Sequence, residues 1–256
     1  MKKLMFMAMM AVVATSASAQ DIKAILKAKT YSEAETMIKS SLSSLDNADK
    51  AKAYNKLVQL SVEKINKEQE IISKNALAVQ LKQDKVEPYD TVGFNKAICT
   101  AVQDAMECDK YDNMPNAKGK ISPKFHKANQ EKLWNLRLNL INAGQDAANA
   151  NKMDEAALYY GVYVESSSNA LFADRDKEKF PDQYVGQVAR VASVLAFQNK
   201  NIELANKYCD VALEDAETYN DALDLKMYLM QQSLKNHDDS VKCVKQFEAL
   251  YAKDKR

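Results

Sequence analysis

The sequence predicts an all-α chain built from antiparallel helix hairpins. Only five glycines and four prolines occur in 256 residues, too few for a sheet-rich topology with many tight turns. Apolar residues recur at steps of three and four along most of the chain, the spacing of one face of a helix. Small residues also repeat in register: Ala143, Gly144, Ala147 and Ala156 are matched, at one constant offset, by Ala192, Ser193, Ala196 and Ala205.

The chain opens with Lys2 and Lys3, an apolar run from Leu4 to Val13, and the small residues Ala17-Ser18-Ala19. This layout is that of a secretory signal peptide, and the run is too short for a permanent span. Residues 1–19 are therefore expected to be cleaved, and the mature chain to carry no transmembrane segment. Cleavage removes two lysines and no acid, taking the formal charge from +1 to −1. A near-neutral protein is not built for nonspecific nucleic-acid binding. The expected location is the periplasm or cell envelope.

Residues 20–109 read as an N-terminal helical region. The stretch 22–45, with Glu33, Ala34 and Ile38 placed like the second half of a hairpin, is expected to cap the array. Asp46 and Asn47 start a long helix running to about Lys82, whose centre, EKINKEQE, is almost wholly polar. Its apolar row runs from Ala53 through Leu57, Leu60 and Ile65 to Ile72, Ala76 and Val79. Asp90 and Thr91 start the next helix, where Phe94, Ile98, Ala101, Val102, Ala105 and Met106 form a stripe read as core. Residues 110–127 hold two prolines, one glycine and several Asn and Asp, and read as the main loop. Lys118, Lys120, Lys124 and Lys127 make it basic, with Tyr111, Phe125 and His126 beside them.

Helical repeats are expected over 128–256. One helix should run from Ala128 to Asn149 and include Trp134, the only tryptophan. Leu140–Ser168 then reads as two helices joined at Asn151–Lys152. Helix axes approach to about 8–10 Å only where side chains are small, so Ala143, Gly144 and Ala147 are expected to face Ala156, with Leu140, Ile141, Leu158, Tyr159 and Tyr163 filling the flanks. This unit resembles a tetratricopeptide (TPR) repeat, whose period is roughly 34 residues. The interval from Ala156 to Ala205 exceeds that period by about 15 residues, which the charged stretch SNALFADRDKEKFPDQY supplies. A second unit follows from Tyr184, turning at Asn199–Asn201. A third, from Tyr219 onward, departs from the pattern by placing Met227, Met230 and Val241 at its small positions. The fold class is thus all-α, a TPR-like α-solenoid.

Signatures of zinc proteases, α/β-hydrolases, P-loop enzymes and thioredoxins are missing from the sequence. Only His126 and His237 occur, and no catalytic, cofactor or metal residues are assigned; no enzyme is expected. The acidic run Asp210, Glu214, Asp215, Glu217, Asp221 and Asp224 lacks the turn glycine of a calcium loop and reads as a solvated ridge, with a basic partner as the alternative. Cys99 and Cys108 point to opposite sides of one helix and cannot pair. Cys209 and Cys243, on the second helices of neighbouring units, read as buried thiols, with a bridge as the alternative.

The resemblance implies a partner protein or peptide on the surface lined by first helices: Leu138, Ile141, Gln145 and Asn149 in one unit, and Gln187, Arg190, Val194 and Gln198 in the next. The Lys/Asn arrangement that clamps a terminal carboxylate in some TPR proteins is not present at these positions, so an internal segment is the expected occupant. The competing reading is a soluble solute- or glycan-binding component of an envelope uptake system, with Trp134, Tyr159, Tyr160 and Tyr163 as its aromatic candidates.

Overall fold

The computed structural model describes residues 20–83, 86–175, 179, 181–232, 234 and 236–253; the expected signal peptide lies outside them. Among the described residues the chain is helical without strands. In order these are α1 over 20–27, α2 (Tyr31–Ser41), α3 (Asn47–Gln80), α4 (Thr91–Asp112), α5 (His126–Leu133), the 3-10 turn η1 (Leu136–Leu138), α6 (Asn139–Asn149), α7 (Met153–Ser168), α8 (Ala170–Ala173), α9 (Val185–Gln198), α10 (Ile202–Ala212), α11 (Tyr219–Gln232) and α12 (His237–Lys253). No helix among them is long and apolar enough to cross a membrane. They form two compact units. One holds the chain up to Leu140 together with Asn169–Asp174, and the other holds Ile141–Ser168 and the residues from Arg175 onward.

The first unit is organised by the α3/α4 hairpin. Cys108 Sγ donates to the Ala51 carbonyl at 3.3 Å, Ser61 and Thr100 hydroxyls lie 3.2 Å apart, and Glu68 accepts the Asp90 N–H at 2.9 Å. Partner numbers fall along α4 as they rise along α3, so the helices are antiparallel. Ala51, Leu57 and Ile65 on one helix and Ile98, Ala101, Val102 and Ala105 on the other are buried. The helix starts follow the sequence. Asp46 accepts the Asp49 N–H and Asp90 the Gly93 N–H, both at 2.8 Å, satisfying donors that have no partner within the helix.

The polar centre of α3 is where α4 begins. Lys64 Nζ bonds Glu68 at 2.6 Å and Asp90 at 2.9 Å, so Glu68 is buried because it holds the entry to α4. The apolar row continues beyond it, but its last residues are not core. Val79 is 66 % exposed and Ala76 is also exposed. The reason is geometric: α4 starts level with Glu68 and runs back along the first part of α3, while further on Glu87 exchanges two hydrogen bonds with Asn75.

The 22–45 region packs as α1 and α2, burying Ile22, Ile25, Ala34, Ile38 and Leu45 against Ala53, Leu57 and Leu60 of α3. Tyr31 at the start of α2 donates to Asp104 on α4 at 2.9 Å. Burial pushes the Asp104 carboxyl up to about 7; the Tyr31 hydrogen bond opposes this, and nearby Glu35 and Glu107 add to it. A carboxyl ionised at about 4 when unfolded but near 7 when folded favours the native state at low pH, and that contribution fades as pH rises between the two values. Asp104→Asn is therefore expected to gain on wild type by roughly 2–4 kcal/mol between pH 5 and pH 8. Parallel stability-versus-pH curves from urea titrations would remove this assignment.

The expected helix from Ala128 to Asn149 is broken. After α5 the chain tightens into η1 before α6. Apolar residues alternate through Trp134, Leu136, Leu138 and Leu140, which suits no single helical face, and the break lets Leu133, Trp134, Arg137 and Leu140 all be buried. The stretch expected to be a charged insertion also starts differently. Its α8 carries Leu171 and Phe172 into the core of the first unit. Phe172 packs against Trp134 with ring centres 5.8 Å apart, and the Arg137 guanidinium lies 4.2 Å from the Trp134 ring and 5.4 Å from that of Phe172.

In the second unit, α7 packs on α9, α9 on α10 and α10 on α11. Ala143, Ala147 and Ala156 are buried, whereas Leu158 is 48 % exposed and fills no flank. The four cysteines are free and buried. Cys209 Sγ donates to the Ala222 carbonyl at 3.2 Å, so no Cys209–Cys243 bridge is formed.

Candidate functional site

Two regions carry exposed, chemically distinct side chains: the first helices of the hairpins, and the segment between α4 and α5.

The hairpins are positioned by equivalent turns. Asn151 (φ 57°) ends α6 and Lys200 (φ 60°) ends α9 in the left-handed conformation, the usual way to stop a helix and satisfy its last carbonyls. Lys152 N–H donates to Ala147 O at 2.8 Å and Asn201 N–H to Ala196 O at 2.9 Å. Asn151 N–H donates to Ala148 O at 2.9 Å and Lys200 N–H to Phe197 O at 2.8 Å. Every pair is displaced along the chain by the same offset that separates Ala156 from Ala205.

The eight residues expected to contact a partner are divided between the units. Leu138 lies in the first, exposed on η1; Ile141, Gln145, Asn149, Gln187, Arg190, Val194 and Gln198 lie in the second. Gln145 and Asn149 are exposed and hydrogen-bonded to each other at 3.1 Å. Gln187 and Gln198 are exposed, and Ile141, Arg190 and Val194 are half-buried. Arg190 reaches Asp221 of α11 at 3.8 Å, so its charge is shared with the next hairpin. The acidic ridge is engaged within the chain as well: Asp210 pairs with Lys226 at 2.6 Å and Asp215 accepts the Glu217 N–H at 2.8 Å. The four aromatic candidates for a glycan pocket, Trp134, Tyr159, Tyr160 and Tyr163, are all core residues.

The α4–α5 segment is shorter than the expected loop over 110–127, and its backbone is anchored at several points. Helix α4 runs on to Asp112, and α5 begins at His126. Three anchors fix what lies between. Asn47 of α3 donates to the Pro115 carbonyl at 2.9 Å. Asn116 Oδ1 accepts the Lys118 and Lys120 N–H groups at 2.9 and 3.2 Å, with Gly119 taking φ 72° to close the loop. Asp112 Oδ2 accepts the Lys124 and Phe125 N–H groups at 2.6 and 2.7 Å. Asn and Asp are the residues that bond nearby backbone in this way.

Two clefts flank the segment. One, about 560 Å3, holds His126 between the carboxylates of Asp109 and Asp174, at 2.6 Å from Nδ1 and 3.3 Å from Nε2. Asn113 also donates to Asp109 at 3.1 Å, and Gln130 to Asp174. Partial burial lowers the His126 pKa, but the bond and charge of Asp109, with Asp174 behind them, outweigh it and the net shift is upward. The imidazolium this favours is a clasp between two acids; with both nitrogens engaged, it offers no free base to a substrate. Among the described residues no group of three or more His, Cys, Asp or Glu could hold a metal ion. The other cleft, about 250 Å3, is lined by Lys52, Lys120 and Lys124, by the Asp112 carboxylate, and by Tyr111, Met114 and Phe125. Sequence reasoning marked the loop's lysines and aromatics as basic text but did not place them around one cavity, because the folding of the loop depends on Asn47, which lies far upstream of its partner Pro115.

No protein-family model, curated protein or solved structure matches the chain.

Proposed function

We propose that the chain is an exported TPR-like scaffold that binds a protein or peptide partner at the cell envelope without catalysing a reaction. The observation that carries this reading is the shared construction of the α6/α7 and α9/α10 turns, hydrogen-bonded alike at a constant sequence offset. Repeated hairpins stack to present their first helices as an extended binding surface. On α6 and α9 those helices carry outward Gln145, Asn149, Gln187 and Gln198, polar groups able to bond the backbone of an internal peptide segment. The glycan-binding alternative is weakened because its aromatic candidates are packed in the interior.

The test compares partner profiles of the tagged mature protein with those of a Gln145→Glu, Asn149→Glu, Arg190→Glu variant, captured from envelope extracts. Loss of one or more specific partners is expected. Identical profiles would remove the first-helix surface as the binding face.

A further inference from the structure

The 250 Å3 cleft of the first unit has a charge balance that predicts its occupant. Three acids beside it are held from within the chain, and one of them, Asp112, lines the cleft itself. Asp49 pairs with Lys52 at 2.7 Å, Glu107 with Lys110 at 3.1 Å, and Asp112 is committed to the Lys124 and Phe125 backbone N–H groups. The cations outnumber these acids. Lys120 and Lys124 line the cleft and form no ion pair among the described residues, and Lys50 Nζ rests 5.3 Å from the centre of the Tyr111 ring. Fixed backbone holds the two cleft lysines in place: Lys120 N–H is bonded to Asn116 and Lys124 N–H to Asp112. Tyr111 is stacked on Tyr54 at 5.7 Å and 13°, and Lys110 Nζ also lies 5.2 Å from its ring centre.

We infer that this cleft docks an acidic peptide segment, with a Glu or Asp carboxylate met by Lys120 and Lys124 and an adjacent apolar side chain against Tyr111 and Phe125. Size supports a peptide. The volume, about 250 Å3, accommodates one or two side chains. The concave, local patch also suits a point carboxylate better than a flat bilayer or the evenly spaced charges of a nucleic acid, which call for an extended basic track. The inference adds a second contact surface to the partner-binding reading and rests on that reading only in taking the occupant to be a peptide.

The experiment uses the mature chain and a fluorescein-labelled hexapeptide of alternating Glu and Phe, read by anisotropy, beside a Lys/Phe peptide of the same length. The Glu/Phe peptide is expected to bind, to weaken tenfold or more with Lys120→Glu/Lys124→Glu, and to weaken between about 50 and 200 mM salt as charge is screened at an exposed site. The Lys/Phe peptide should not bind. Both lysine side chains are exposed, so the variant should keep the wild-type far-UV circular dichroism and the wild-type Trp134 emission. Absence of binding at millimolar peptide, equal affinity of wild type and variant, or tighter binding of phosphatidylglycerol vesicles or a 20-mer oligothymidylate would each overturn the inference. Lys23→Glu/Lys27→Glu, the same charge change at exposed positions of α1 that do not line the cleft, should leave peptide affinity unchanged; a tenfold loss there would show a response to overall charge and overturn the inference. Failure of the envelope capture with peptide binding intact would remove only the first-helix reading.

Discussion

Phe172→Ala is expected to destabilise the first unit by about 3–5 kcal/mol, the range for emptying a buried aromatic site. Phe172 is 1 % exposed and its ring meets both Trp134 and the guanidinium of the fully buried Arg137. Deletion leaves a cavity and takes away a cation–π contact of about 0.5–2 kcal/mol that helps to offset the burial of that charge. The only tryptophan lies in this cluster, so urea unfolding followed by Trp134 fluorescence reports on the affected unit directly. A midpoint shift and a red-shifted native emission are expected together. Leu158→Ala, at a half-exposed position of α7, should stay within about 0.5 kcal/mol of wild type. A Phe172→Ala cost below about 1 kcal/mol, the level of an ordinary substitution, would show that α8 is not a structural anchor.

That anchor also marks where sequence patterns stop being informative. Helix starts at Asp46 and Asp90, the turns at Asn151 and Lys200, and the buried alanines of α6 and α7 were legible because each is set by residues close in sequence. Phe172 was hidden inside a charged stretch because its partners, Trp134 and Arg137, lie far upstream. The break between α5 and α6 was missed for a related reason. It carries no glycine or proline, and only the joint burial of Leu133, Trp134, Arg137 and Leu140 explains it. The apolar tail of α3 shows the same limit, since periodicity reports a helix face but not whether another helix covers it. The basic composition of the loop could be read directly, but its organisation into a cleft depends on Asn47, Asp112 and Asn116 acting together.

The second large effect tests whether the two hairpins are variants of one packing solution. A Cβ on Gly144 would come within 2.5 Å of the Tyr160 ring, so glycine is needed there for the aromatic to lie against α6. At the corresponding positions of the α9/α10 hairpin stand Ser193 and Cys209: the first helix gains a side chain and the second gives up a ring. Ser193 Oγ donates to the Ala205 carbonyl at 2.7 Å and also engages Cys209. Gly144→Ser alone should cost about 1–3 kcal/mol, because the ring edge is rigid and the crowded helices must part. Tyr160→Cys alone should cost about 3 kcal/mol through the cavity it leaves. Combined, each change relieves the other, and the double variant should be more stable than the sum of the singles predicts by about 1 kcal/mol or more, within the range of directly contacting pairs. Urea unfolding by far-UV circular dichroism is the appropriate measurement, since Trp134 belongs to the other unit. Additivity within about 0.5 kcal/mol, the behaviour of independent sites, would mean that Gly144 and Tyr160 do not exchange volume, and that the correspondence between the hairpins stops at the turns instead of extending into the helix contacts.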